Sequence, residues 1–274
     1  MTEFFVEPAY KKGLEQLGLN SLEAIFKFQA GRNLAKDNLA QHRSRIEFQI
    51  GTPATTVFLK RYDRPPIPAQ LRNWQSAKRR ISCGLAEFYA AQNLAALGIN
   101  APKAVACGEH RGAFFEKRSF VIIEEIADGV SLERQLPVFF NGPATTENLV
   151  LRRRFIEQLA LFIRNFHDTG FRHRDLYLCH IFRVSDGRFF LIDLARVFKP
   201  MLFGERFRVK DLAQLNYSAP ARYFSRADRM RFYLAYMRRS NLTPKNKSFI
   251  GKIIRKTGRI AHHDAKRADY NTAL

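Results

Sequence analysis

Asp175 and Asp193 are each preceded by a pattern that suits a carboxylate to chemical work. Asp175 lies in His173-Arg174-Asp175-Leu176-Tyr177-Leu178-Cys179-His180, and Asp193 closes Leu191-Ile192-Asp193. Phosphoryl transfer to a hydroxyl needs a carboxylate to accept the hydroxyl proton and a metal ligand a few residues on. It also needs a second carboxylate to hold Mg²⁺ against nucleotide phosphates. Asp175 suits the first role, His180 stands in the second place and Asp193 suits the third. Mg²⁺ prefers oxygen, so His180 has a plain alternative as a neutral imidazole bonded to backbone. Cys179 beside it does not make a tetrahedral zinc site.

The same chemistry asks for a lysine on a strand to neutralise phosphate charge, and a glutamate on the next helix to hold that lysine. Val57-Phe58-Leu59-Lys60 supplies the lysine, with Phe58 on the same face. Glu87, early in a helix over 85–97, is the partner. Alone, each reads as a solvated surface charge; their order ahead of Asp175 and Asp193 favours the joint role. Backbone groups of Glu125 and Ile126, just past the buried strand Phe120-Val121-Ile122-Ile123, are candidates for the adenine edge. No G-x-G-x-x-G precedes Lys60. A replacement for a phosphate-covering loop is sought around Ala30 to His42, with Arg32, Lys36 or Arg43 as its cations.

These residues need a scaffold. Ile46, Phe48 and Ile50 alternate as in a half-buried strand, and 56–62 forms the next one after the turn at Gly51. Pro65-Pro66-Ile67-Pro68 reads as a break in regular structure. Gly98 stops the helix that carries Glu87, and Ser131 suits an N-cap for a helix with Leu132 and Leu136. Phe155, Leu159, Phe162, Ile163 and Phe166 make a helical stripe that Gly170 can end. Residues 181–184 and 189–192 read as short strands around Ser185-Asp186-Gly187. The expected class is α+β with two lobes: 1–126 rich in sheet and binding nucleotide, and 127–274 helical, carrying the catalytic loop, metal site and acceptor helices.

With 46% hydrophobic residues the chain can bury a sizeable core, and its formal net charge of +21 points to an anionic partner. Three scattered cysteines make no disulfide framework, so a reducing compartment is expected. The opening residues lack the basic flank and apolar run of a signal peptide, and no stretch approaches the ~18–20 apolar residues of a membrane span. The expected location is cytoplasmic, with peripheral contact to a membrane. Basic residues crowd the C-terminal third; Arg231, Arg238, Arg239, Lys252 and Arg255 are the candidate seat for an anionic acceptor or membrane surface, against the reading of a solvated face. Asp211 is open between a helix N-cap and a brace beneath the catalytic loop, and Arg174 reads as structural.

The run 173–180, followed by Leu191-Ile192-Asp193-Leu194, resembles the signature of the Kdo/WaaP lipopolysaccharide kinases, where His180 stands in place of the asparagine of ordinary protein kinases. Lys210-Asp211-Leu212-Ala213-Gln214-Leu215, Ser218-Ala219 and the arginine-rich helix from Arg226 to Arg239 resemble that family too. Ala195 departs from it, where many relatives carry histidine. The resemblance implies a protein-kinase-like fold and ATP and Mg²⁺ as cofactors. It also implies phosphorylation of an inner-core heptose or Kdo of lipopolysaccharide at the inner face of the inner membrane. Asp175 would be the base, Asp193 and His180 would lie near metal, and Lys60 with Glu87 would position phosphate. An anionic glycolipid and an anionic membrane surface are the expected partners, with no protein partner. The alternatives are another small-molecule phosphotransferase, or a basic nucleic-acid-binding protein on an incidental kinase fold, for which no recognition motif is present.

Overall fold

The computed structural model describes residues 2–34, 42–77, 79–140 and 145–272. The chain divides into two compact units, Met1–Ala127 with Ile192–Phe198, and Asp128–Leu191 with Lys199–Leu274. The segment that carries Asp193 therefore belongs with the first unit, whereas the sequence reading put it in the second lobe.

The first unit is built on an antiparallel sheet of β1 (Thr2–Val6), β2 (Arg32–Asn33), β3 (Arg43–Ile50), β4 (Thr55–Asp63), β5 (Ala104–Arg111) and β6 (Glu116–Glu124), in the order β1-β5-β6-β4-β3-β2. Ile46 faces Leu59 and Phe48 faces Val57 across β3 and β4. These side chains join Phe120 and Ile122 of β6 in a core closed by Leu14 of α1 (Lys11–Gln16) and Ile25 of α2 (Leu22–Lys27). Fully burying a side chain such as Leu59 is worth about 1.5–3 kcal/mol. A one-residue slip of β4 would exchange Leu59 for Lys60 in that core, so the hydrophobic pattern fixes which face Lys60 takes. The even-numbered residues of β4 turn to the other face, where α4 (Cys83–Ala96) lies.

Regular structure breaks at 64–66, as expected, but the break ends before Ile67. Pro68 is the second residue of α3 (Ile67–Ala77), a first-turn position whose N–H would go unpaired in any helix. In the basic run that follows, Lys78 lies outside the described residues. α4 begins two residues before Leu85, because the Ser82 hydroxyl caps it by accepting from the Leu85 N–H, and Gly98 ends it in the left-handed conformation.

The second unit holds β7 (Val130–Ser131), α5 (Leu132–Phe140), α6 (Thr146–Asp168), β8 (Ile181–Arg183), β9 (Phe189–Leu191), α7 (Gly204–Ser218), α8 (Arg226–Met237) and α9 (Pro244–Thr272). Ser131 stands immediately before α5, the position expected of its cap, and also pairs with Phe182 in the small sheet β7-β8-β9. β8 and β9 form the expected hairpin, with Ile181 opposite Leu191. α6 buries Phe155, Leu159, Ile163 and Phe166 and stops at Gly170, whose φ is +88°. The arginine-rich helix runs from Arg226 to Met237, opened by a capping box between Ser225 and Asp228. α9 packs along α7. A sheet-rich first unit and a helical second unit make the fold α+β. Among the described residues no helix is long and apolar enough to cross a membrane.

Candidate active site

In the first unit Lys60, only 7% exposed, projects from β4 toward α4. Its ammonium donates to Glu87 Oε1 at 2.5 Å and to Asp193 Oδ1 at 3.3 Å. The second oxygen of Glu87 accepts the Tyr62 hydroxyl at 3.1 Å. Lys60 and Tyr62 reach the same carboxylate because they stand two apart on one strand face. Burial, with the Glu87 charge beside it, pushes the Tyr62 phenol well above its ordinary range, so Tyr62 acts here as a neutral donor. Asp193 sits at φ 56° and ψ 61°, a left-handed conformation that a non-glycine residue rarely takes.

Glu87 is placed by the way α4 is anchored. Its first free N–H groups are met by side chains of the sheet: Ser82 N donates to Glu109 Oε2, Cys83 N to Glu116 Oε2 and Gly84 N to Ser119 Oγ. Two buried carboxylates at a helix N-terminus also complement its dipole. Burial raises the pKa of Glu116 despite these donors. Gly84 lets the helix sit against β6: a Cβ there would lie 2.3 Å from the Phe120 carbonyl oxygen.

The loop 173–180 is held in the second unit by one face of α7. Asp211 accepts the N–H of His173 at 2.8 Å and of Arg174 at 2.7 Å. Lys210 donates to the Arg174 carbonyl at 2.8 Å, Gln214 accepts from Leu176 N at 3.3 Å, and Ser218 accepts from Leu178 N at 3.0 Å. Asp211 lies inside α7, so it braces the loop and caps no helix. Arg174, at φ +71°, takes a strained turn immediately before Asp175. Beneath Asp211 the buried His167 ring links Asp211 Oδ2 at 3.3 Å to the Tyr236 hydroxyl at 2.8 Å. Burial pushes the His167 pKa down, which leaves a neutral ring that donates from Nε2 and accepts at Nδ1.

The His180 Nδ1 lies 2.7 Å from the Asp175 carbonyl oxygen. A carbonyl only accepts, so Nδ1 carries a proton. His180 thus closes the turn that Asp175 opens. Among the described residues no three His, Cys, Asp or Glu side chains are grouped to hold a metal. A carboxylate such as Asp193 is the kind of oxygen donor that suits Mg²⁺, which takes one or two carboxylates and completes its shell with phosphate and water.

Other candidates fare differently. The N–H of Glu125 donates to the Thr56 carbonyl at 2.9 Å, which extends the sheet and takes that donor away from an adenine edge. Of the stretch expected to replace a glycine-rich loop, 35–41, including Lys36, lies outside the described residues. Arg32 pairs with Glu47, and Arg43 covers the Tyr62 ring. The five basic surface candidates fall in two places, at α8 and its end and on α9. Arg231, Arg238 and Arg239 rim an open groove between α6 and α8, with Arg231 bonded to Asp228 and Arg238 to Asn165. Lys252 and Arg255 are on α9, and Lys252 pairs with Glu205 of α7 at 2.7 Å.

Tyr62, Glu109, Glu116 and His167 are not among the sequence candidates, and Gln214 and Ser218 enter there only within family-like segments, without a role. Asp211, Gln214 and Ser218 fall at i, i+3 and i+7 on a helix with buried apolar neighbours, a polar stripe that could have been read as a brace.

A family model described as the lipopolysaccharide kinase (Kdo/WaaP) family matches residues 72–236. A lipopolysaccharide core heptose(I) kinase, WaaP, of Pseudomonas aeruginosa is 31% identical over 61% of this chain; the match spans 64% of that relative, just under two thirds of its length. A protein of the same description from Escherichia coli K12 is 25% identical over 71% of this chain and 74% of its own. A solved structure, WaaP in complex with acyl carrier protein, matches with a TM-score of 0.71 over 94% of this chain and 98% of that one, at 24% identity, which speaks for the fold. That WaaP is held by a protein, so the expectation that no protein partner is involved loses its basis.

Proposed function

Since this chain belongs to the lipopolysaccharide kinase (Kdo/WaaP) family, we propose that it transfers the terminal phosphate of ATP to a hydroxyl of an inner-core sugar, heptose or Kdo, of lipopolysaccharide. The observation that carries this reading is the Lys60 ammonium held between the carboxylates of Glu87 and Asp193. A cation pinned in this way can exchange a carboxylate for phosphate oxygens without leaving its place. Glu87, fixed by Tyr62 and by the anchoring of α4, keeps Lys60 aimed. Glu125 and Ile126 border the adenine through backbone groups other than the Glu125 N–H. A bound Mg²⁺ would supply charge neutralisation on the phosphates, with Asp193 as its carboxylate ligand and the His180 Nε2 as the candidate nitrogen.

Asp175 orients the sugar hydroxyl and accepts its proton as the oxygen attacks phosphorus. Its loop is held in place because side chains of α7 bond the loop backbone. The protein works at the cytoplasmic face of the inner membrane, and Arg231, Arg238, Arg239, Lys252 and Arg255 attract the anionic glycolipid and the leaflet that presents it. Each such charge near an anionic surface contributes about 1 kcal/mol. An acidic protein partner is compatible with the same basic surface; the WaaP structure with acyl carrier protein supports that reading.

The test is transfer from γ-labelled ATP to lipopolysaccharide truncated at successive core sugars, with the linkage determined by mass and fragmentation. Label on a core heptose or Kdo that depends on Asp175 is the expected result. Label only on non-lipid hydroxyl compounds would favour the small-molecule alternative.

A further inference from the structure

Three consecutive large apolar residues, Met201, Leu202 and Phe203, are 66%, 70% and 74% exposed. Nothing about exposed apolar residues scattered singly needs explaining, but three in a row at the tip of a turn leave no polar atoms of their own side chains to water. Phe203 holds φ at +57° directly before α7, a conformation a phenylalanine rarely adopts. The surroundings are cationic. Lys199 precedes the tip and Arg206 follows it, both exposed. Lys252 of α9 bonds Glu205, the neighbouring acid, and Lys245 of α9 lies within electrostatic reach of it.

The tip is tied to the catalytic loop within one unit. Arg172, nearly buried, donates from Nε to the Gly204 carbonyl at 3.2 Å and from Nη1 to the carbonyls of His167 and Phe171. Gly204 adjoins Phe203, and Arg172 is three residues from Asp175. A force on the tip is therefore delivered to the backbone that leads into the loop.

We infer that Met201-Leu202-Phe203 is an interfacial wedge that dips into an anionic bilayer, with Lys199, Arg206 and Lys252 against the headgroups, and so sets the Asp175 loop at the surface from which a lipid-anchored acceptor projects. This rests on the glycolipid acceptor proposed above. A bilayer is the occupant that the chemistry fits. A protruding apolar tip ringed by lysine and arginine matches an apolar interior beneath anionic headgroups. Methionine, leucine and phenylalanine need no hydrogen-bond partner there.

The experiment compares the protein with its Met201→Ser/Leu202→Ser/Phe203→Ser variant, using vesicles of phosphatidylethanolamine and phosphatidylglycerol at 0.1 M and 0.5 M NaCl. Sedimentation with vesicles should fall at least tenfold in the variant at both salt concentrations. The KM for vesicle-embedded lipopolysaccharide should rise by a similar factor, while KM for ATP and turnover on delipidated core oligosaccharide stay as they were. A Trp74→Phe/Phe203→Trp protein reads the same contact directly, since Trp74 is the sole tryptophan; its emission should shift to the blue on adding vesicles and be quenched by brominated acyl chains. Vesicle binding that is equal in the wild type and the triple-serine variant and vanishes in 0.5 M NaCl would overturn the wedge. So would a tryptophan emission that vesicles leave unshifted. Loss of vesicle binding with no phosphate transferred to any core acceptor would sink the kinase reading and leave the wedge standing.

Discussion

The loop around Asp175 and the cluster around Lys60 are held by opposite means. Most contacts from α7 to the loop run from a side chain to loop backbone: Asp211 to two N–H groups, Gln214 and Ser218 to one each, Lys210 to a carbonyl; Gln214 also donates to the Tyr177 hydroxyl at 3.2 Å. The Lys60 cluster is held by side chain against side chain, through ion pairs that a phosphate could compete for. Backbone bracing fixes a geometry without drawing on the reactive side chain for support. Ionic bracing stores a cation in place until a better anion arrives. A general base needs the first arrangement, and a phosphate-binding cation suits the second. Substitutions in the loop should then act on turnover, and substitutions in the cluster on nucleotide binding as well.

The largest expected effect tests the loop side. Asp175→Asn keeps the shape and removes the proton acceptor, so turnover should fall by roughly 10²–10⁴-fold, with melting temperature and KM for ATP little changed. A folded Asp175→Asn protein with wild-type turnover would remove Asp175 from the mechanism and leave the loop a structural turn.

Next comes the cluster. Lys60→Met and Glu87→Gln should each raise KM for ATP and lower turnover, Lys60→Met the more. Lys60 and Glu87 are both buried, so the two changes should not add: the double mutant should fall short of the sum by about 0.5–3 kcal/mol. Strict additivity in a double-mutant cycle of kcat/KM would mean that the contact between their side chains does not operate in solution.

A smaller effect should come from a residue that touches neither substrate. Gly84→Ala places a methyl against the Phe120 carbonyl, backbone that cannot give way by rotating a side chain. Overpacking of this kind costs about 1–3 kcal/mol. The helix must lift from β6 and carry Glu87 with it. Thermal denaturation should show the loss, and KM for ATP should move toward that of Glu87→Gln. An unchanged melting temperature would mean that α4 is anchored by its carboxylate contacts alone.

The two regions also differ in how much of them the sequence displayed. The loop was legible because its working residues are contiguous, and Lys60 because a strand pattern fixed its face. The brace was legible only in part: Asp211 stood open between cap and brace, while Gln214 and Ser218 lie about forty residues downstream of the N–H groups they satisfy, and nothing local marks a helix side chain as spoken for by a distant backbone. Pro68 looked like a breaker because its first-turn position depends on where the helix starts. The membership of 192–198 in the first unit was hidden for a related reason: chain order follows β9 into the segment, while packing joins the segment to α4. Counting charges found the basic C-terminal third but could not show that Arg231, Arg238 and Lys252 already have partners in Asp228, Asn165 and Glu205.

The finest test of the comparison is electrostatic and lies beneath the loop. His167 faces the Asp211 carboxylate and the Tyr236 hydroxyl, with Arg172 and Arg208 near enough to disfavour its protonation. Burial is the larger cause, and together with the arginines it outweighs the pull of Asp211, so the ring titrates below the ordinary value of about 6.5. The folded protein thus resists a proton that the unfolded chain accepts. The stability His167 contributes is complete above about pH 6.5 and is lost as pH falls through that value to the lower folded one. Protonation would also place a donor at Nδ1 facing the Tyr236 hydroxyl and so disturb the ring that supports Asp211. Between pH 7 and pH 5 the melting temperature of the wild type should fall more steeply than that of His167→Gln, which keeps a donor and an acceptor but does not titrate. Turnover at saturating substrates should show the same divergence, because Asp211 carries the strain to the loop, while KM for ATP should not. Parallel pH profiles in both measurements would mean that the backbone brace ends at Asp211 and that His167 is only packing.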